Sequence, residues 1–356
     1  MNRGFWSNLP RPVIGLSPMD GVSDAAFRAI TERYGRPDIL FTEFTAVEAI
    51  ARGKTKVMEA LITKPSSSPT VAQIFGTEVQ SYYSSALAIA EMGFAGIDIN
   101  MGCPAKNIQQ RGAGAGLIRT PKLAQKIVRT VQKAMQDRAD GITMEQAGVH
   151  PDVIGFVSWY RTRFGATPLE GVLPVSVKTR IGFDVPAVES WIPALLEVAP
   201  VNITLHGRTL KQMYTGMADW DEIAKAAEIV HASGSGITLL GNGDVQSRDD
   251  ALERVATYKV DGVLIGRASF GNPWLFAGRE PTPRERILVA LEHTRTFMEL
   301  TPEAHFLSMR KHLAWYCKGF PNAADFRLKF VRANSEEEVK NIAAEAMEML
   351  AQGTHT

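Results

Sequence analysis

Cysteine is nearly absent: Cys103 and Cys317 are the only two in 356 residues. No CxxC pair and no Cys/His cluster of zinc spacing occurs. That excludes a disulfide framework and the common structural zinc modules. A dominant charge sign is also missing. The 39 Lys and Arg against 38 Asp and Glu leave a net charge of +1. A strong global pull toward nucleic acid or membrane is thereby excluded, although a local patch is not. No apolar run approaches the ~20 residues that cross a bilayer. The opening residues, MNRGFWSNLPRP, lack the apolar core and cleavage site of a secretory signal. The expectation is a cytoplasmic protein in a reducing compartment, working as a monomer.

What is present is alternation. Short apolar runs at 13–19, 39–44, 70–76, 96–102, 174–181, 201–207, 236–243 and 262–267 each close on Gly, Pro or a polar residue. Between them lie segments of helical period at 25–34, 79–92, 121–135, 188–198, 221–232 and 247–258. Continuous apolar strands separated by amphipathic helices indicate a parallel sheet covered on both faces. Most strand starts are about 25–35 residues apart, the size of one βα unit. Eight such units predict an α/β fold of the (β/α)8, or TIM barrel, type. A doubly wound sheet would need fewer strands.

The interval from 96 to 174 is too long for one unit, so 137–173 reads as an insertion. Within it His150-Pro151-Asp152 resembles a helix start, and Val153, Phe156, Val157, Tyr160 and Phe164 share one face. As a helix-to-strand connection it is expected on the face opposite the chemistry. After Pro281-Thr282-Pro283 the alternation stops and helical spacing continues. The expected division is a barrel over 1–280 and a small all-α domain over 281–356. The stretch 310–332 holds six Lys/Arg, at 310, 311, 318, 327, 329 and 332, against the single acid Asp325.

Barrel chemistry collects at the C-terminal ends of the strands. Those ends read Ser17-Pro18-Met19, Gln73, Asn100 with Cys103, Lys178 with Arg180, His206 with Arg208, Asn242-Gly243-Asp244 and Gly266-Arg267. A rare thiol on a Gly-Cys-Pro corner at that rim points to function. Taken singly, Cys103 could be a small buried hydrophobe and His206 a satisfied core histidine. Lys178 inside an apolar strand requires an anionic or polar partner. Gly243 and Gly266 close the last two strands, where barrels commonly bind phosphate through backbone N–H groups, and Arg267 beside them suits the same anion. RGAGAG, 111–116, follows no strand and is read as a flexible loop rather than a dinucleotide motif.

Together these pieces resemble the tRNA-dihydrouridine synthases. The matching stretches are SPMDGVSDAAFR (17–28), QIFG (73–76), DINMGCPAK (98–106), VKTRIG (177–182), LHGRT (205–209), QMYTGMADW (212–220), GNGDV (241–245), IGRA (265–268) and MRKHLAWYCKGF (309–320). They run in the family's order, and NMGCPAK is most similar to its bacterial B branch. The resemblance implies a bound FMN, a transient NADPH reductant and a tRNA substrate. It assigns FMN to Pro18, Met19, Gln73, Lys178, His206, Asn242, Gly243, Asp244, Gly266 and Arg267. It makes Cys103 the acid that protonates uracil C5 while reduced FMN delivers hydride to C6. Asn100 and Arg208 are expected on the substrate, and Arg310, Lys311 and Lys318, on one arc of a helix over 309–320, on the tRNA backbone. Two other readings stay open: a flavin barrel acting on a free pyrimidine-like molecule, and an RNA-binding protein without catalysis.

Overall fold

The computed structural model describes residues 3–301 and 305–352. Residues 1–2, 302–304 and 353–356 of the two expected domains lie outside the described residues. All eight expected strands form: β1 (Val13–Leu16), β2 (Leu40–Ala46), β3 (Thr70–Phe75), β4 (Gly96–Met101), β5 (Val175–Arg180), β6 (Asn202–His206), β7 (Thr238–Asn242) and β8 (Gly262–Ile265). Every ladder is parallel, in the order β1-β8-β7-β6-β5-β4-β3-β2. The ring closes between β1 and β2, where Asp38 N donates to Ile14 O and Leu16 N to Ile39 O, each at 3.0 Å. The result is a TIM barrel.

The helices form where the apolar period put them, and side-chain caps set the starts of several. Asp24 accepts from Phe27 N and starts Ala25–Gly35, Asp219 starts Trp220–Ala232, and Ser247 starts Arg248–Tyr258. Helix Pro121–Ala139 runs past its expected end at 135, and its added turn is tied to the segment 79–92 by Tyr83 Oη donating to Asp137 and Arg138 Nε donating to Glu91. The periodicity did not reveal Val47–Ala51 or the 3₁₀ segment Thr55–Leu61, which are too short to repeat a pattern.

The N-terminal end of the barrel is filled. Trp6, on the 3₁₀ turn Gly4–Ser7, packs with Val13, Ile39, Phe41, Val71, Val201, Leu240 and Leu264. Arg3 and Arg11 both donate to Thr238 Oγ1 at the start of β7, which ties this turn across the floor.

The insertion contributes one helix, Pro151–Phe164, with His150 accepting from Asp152 N at its start as the sequence suggested. Val153, Val157 and Tyr160 are buried against the outer layer, and Tyr160 Oη donates to Thr63 O. No residue of 137–173 lines the cavity at the strand C-termini.

Beyond β8 the described chain is mainly helical, with Pro283–Leu300, Met309–Tyr316, Ala323–Phe330 and Glu336–Gln352. A Thr282/Glu285 capping box starts the first of these. Their core joins Ile287, Phe297, Leu313, Phe326, Phe330 and Ala343 to Ala26, Ile30 and Trp274 from the barrel side. The helical part therefore shares its core with the barrel's first helix.

The seam between β8 and β1 leaves no room for a side chain. Gly262 is registered opposite Val13, and a Cβ there would sit 2.1 Å from Val13 O. Gly262→Ala is expected to cost about 1–3 kcal/mol, because backbone rather than a flexible side chain must yield. Thermal unfolding should show a drop of several degrees; an unchanged melting temperature would mean that the seam is compliant.

Candidate active site

The C-terminal strand ends enclose a cavity of about 460 Å³. Pro18, Met19, Lys178, His206, Asn242, Gly243, Asp244, Gly266 and Arg267 line it, together with Cys103, Asn100 and Arg208. Twelve of the sixteen anticipated residues are thus brought to one place. Gln73 lies beneath them, fully buried, and Arg310, Lys311 and Lys318 lie outside the cavity on the helical part.

One wall is built on Asp98. Its carboxylate faces the barrel interior, where its cross-strand neighbours are Gln73 and Ser176. Gln73 Nε2 donates to Asp98 Oδ2 at 2.7 Å and Ser176 Oγ to Oδ1 at 2.6 Å. Gln73 Oε1 then accepts from Asn100 Nδ2, and Asn100 Oδ1 accepts from the backbone N–H of both Gly102 and Cys103. The Gly-Cys-Pro corner is therefore fixed by an amide that is itself fixed from below. Arg180, noticed only as a strand end, completes the hold: its Nε donates to Gly102 O and its Nη1 to Thr209 O. RGAGAG is not the flexible loop expected. Gly114, Ala115 and Gly116 are buried, and Ala115 N donates to Cys103 O. A Cβ on Gly114, whose φ is +56°, would lie 3.0 Å from that same carbonyl. Cys103 itself is 8% exposed, and burial pushes its thiol above the ordinary 9.0.

Lys178 stands on the adjacent strand β5, in register with Asn100. Among the described residues its ammonium has one hydrogen-bond partner, Asn242 Oδ1 at 3.0 Å, leaving two N–H groups for whatever enters. Burial, and then the adjacent Arg180 guanidinium, lowers its pKa to about 8. Asn242 is held in turn by donating to Leu264 O. His206 accepts from Arg208 N through Nδ1, which places its proton on Nε2. Burial and then Lys178 drive its pKa well below 6.5, so it stands as a neutral donor. Gly243 has φ +126°, and a Cβ there would lie 2.7 Å from Ala218 Cβ. Among the described residues, the N–H groups of Gly243, Asp244 and Gly266 have no protein acceptor. Three free backbone donors on adjacent loops suit an anion such as phosphate.

Asp244 joins the loops after β6, β7 and β8. Its Oδ2 accepts from Arg208 Nη2 and Ala218 N, and its Oδ1 from Arg267 Nη2. Burial alone would raise its pKa, but the Ala218 N–H and the Arg208 guanidinium outweigh it, and the carboxylate lies below its usual range.

The helical cations are placed differently from the wheel. Helix Met309–Tyr316 ends before Lys318, so Lys318 shares no arc with Arg310 and Lys311. Arg310 donates to Ala333 O, Arg332 O and Asn334 Oδ1, and Lys311 Nζ to Gly21 O. Both charges hold the chain to itself. Asp20, Met213, Tyr214 and Phe270 also line the cavity, yet none was anticipated. The only signal for Tyr214 was its place in the quoted QMYTGMADW stretch.

A parallel barrel whose mouth brings together a buried thiol, an ammonium and free backbone donors suits an oxidoreductase. The sequence model described as "Dihydrouridine synthase (Dus)" matches residues 15–142 and 167–352, and the chain belongs to that family. The stretch it skips, 143–166, lies inside the expected insertion and contains its helix. A "Probable tRNA-dihydrouridine synthase" of Staphylococcus epidermidis is 31% identical over 349 residues, 96% of each chain. A "Probable tRNA-dihydrouridine synthase 2" of Bacillus subtilis is 30% identical, covering 96% of this chain and 95% of its own. Among solved structures, a 2-naphthoyl-CoA reductase complex aligns with TM-score 0.47 and 10% identity over 74% of this chain and 49% of that one.

The Asp98 network gives a pH signature. Burial raises its pKa from 3.8 to about 6 against the bonds from Ser176 and Gln73. A raised carboxyl favours the folded state while protonated, and its ionisation lowers stability as pH climbs through that window. Asp98→Asn removes the titration. The stability of wild type relative to this variant should fall between about pH 4 and 6 in urea melts; parallel curves would place the charge elsewhere. Asp98→Ala strands Gln73 and Ser176 and should cost about 1–3 kcal/mol.

Proposed function

We propose that this protein reduces the C5–C6 bond of a uridine in tRNA to 5,6-dihydrouridine, in the cytoplasm, with FMN in the cavity and NADPH as the electron source. The observation that carries the reading is the Cys103 thiol, recessed and kept protonated, lining one cavity with Lys178, His206 and free amides. The relatives' names supply the substrate class, and their likeness spans nearly the whole chain.

The residues present fit FMN. Gly243, Asp244 and Gly266 offer unoccupied N–H groups to a phosphate, with the Arg267 side chain 60% exposed beside them. Lys178 offers two unused donors to an electron-rich ring edge and favours its anionic form. Neutral His206 donates through Nε2. When bound, FMN supplies the hydride for uracil C6. Cys103 supplies the C5 proton from the other side, and a thiol whose pKa is raised by burial remains the acid at neutral pH. Asn100 and Gln73 keep the thiol's corner in position.

The helical part, 281–356, is proposed as the tRNA-binding unit. Arg310 and Lys311 are occupied within the chain, so the phosphate contacts fall to Lys318 and Arg332. Both are exposed, and Lys318 lies in the field of Arg286.

Two outcomes test this. Cys103→Ala should keep its flavin and its bleaching by NADPH while the +2 Da uridine disappears from tRNA digests. Loss of both half-reactions together would remove Cys103 from the acid role. Lys318→Glu with Arg332→Glu should weaken tRNA binding and lower the slope of log affinity against log salt by about 1 per lost phosphate contact. An unchanged slope would take this surface out of the RNA site and favour a free pyrimidine as substrate.

A further inference from the structure

Arg208 was expected on the substrate, but its guanidinium is turned inward. It is 3% exposed, and besides Asp244 it donates to Thr215 O at 3.3 Å and Gly216 O at 2.6 Å. These bonds hold the loop after β6 as a firm lip. Gln212 braces it from within: its Oε1 accepts from Thr209 N and its O from Thr215 N. Leu210 N and Lys211 N donate to Gly182 O and Phe183 O, which ties the lip to the loop after β5.

What the lip presents is unusual for a surface loop. Tyr214 is 69% exposed and Met217 73%. Met213, 38% exposed, is held at φ +49°, a left-handed conformation strained for a side chain of its size. Met213 and Tyr214 also line the cavity mouth. The fold thus maintains a strained, well-anchored loop whose product is an aromatic ring and two thioethers facing solvent beside the entrance.

The chemistry of the substrate says what would cover them. Cys103 lies recessed, so a uracil can reach it only by leaving its stack in the RNA. The bases flanking it then lose a stacking partner. An aromatic face at the rim replaces that partner whatever the base identity, and Lys211 on the same lip is an exposed cation for the backbone.

We propose that the 212–217 lip is a stacking platform for a nucleotide adjacent to the extracted uridine, with the Tyr214 ring as its plate and Arg208 as the positioning residue that sets its height. This rests on the tRNA reading above and adds how the substrate is seated. Stacking of one base on an aromatic ring is lost on truncation to Ala, which should weaken binding about 5- to 150-fold.

The test uses the flavin-loaded full chain and a tRNA transcript. Affinity is measured at several salt concentrations, and kcat and KM are obtained from dihydrouridine mass spectrometry. Tyr214→Ala should raise Kd and KM at every salt concentration with the salt slope unchanged, since no phosphate contact is lost. Tyr214→Phe and Tyr214→Trp should restore both, since the ring and not the hydroxyl is used. An unaltered Kd and KM in the Ala variant, a Phe variant as impaired as the Ala variant, or a changed salt slope would each overturn the platform. Failure of the tRNA reading shows separately, as wild-type protein that produces no dihydrouridine.

Discussion

A carboxylate sealed inside the barrel is the constraint from which the thiol wall descends. Asp98 sits between two strands that each offer it a donor, and it is satisfied by them rather than by water. An unpaired carboxylate at that depth would be costly, so the donors on β3 and β5 are fixed along with it. Gln73 has a second end, and that end sets Asn100; Asn100 has a second end, and that end sets the corner at Cys103. Each side chain uses both faces of a bifunctional group. Position is thus transmitted from the barrel interior to its mouth through side-chain amides rather than through backbone alone.

The other half of the mouth is organised by Asp244 in a different manner. This carboxylate belongs to a loop, and it draws together three loops that no ladder connects. The two walls therefore differ in kind. The thiol wall, with Lys178 beside Asn100, grows upward from strand register, whereas the loops that carry Arg208 and Arg267 are gathered sideways by one anion. Arg208 and Arg267, both anticipated as ligand contacts, are in large part its counter-ions.

The barrel was readable in the sequence because buried parallel strands are continuous apolar runs with polar closures, and all eight lie where those runs lie. The mouth was readable for the same reason, since the last residues of each strand must converge. Side-chain commitments were not readable. Gln73 differs from a rim residue by a fraction of a strand's length, and Arg310 meets the chain again only at 332–334, a contact that no local period encodes. Lys318 was placed on a helix that stops at Tyr316, where Cys317 leaves helical geometry. RGAGAG looked mobile from its glycines, yet those glycines are what let it press against Cys103.

Trp6 at the floor of the barrel has a kinetic consequence. A barrel stoppered at its N-terminal end is open only at the other. Under the function proposed above, the reductant and the molecule to be reduced would both enter by that doorway, and the enzyme would work by turns. The stopper at the bottom thereby dictates the rhythm of events at the top.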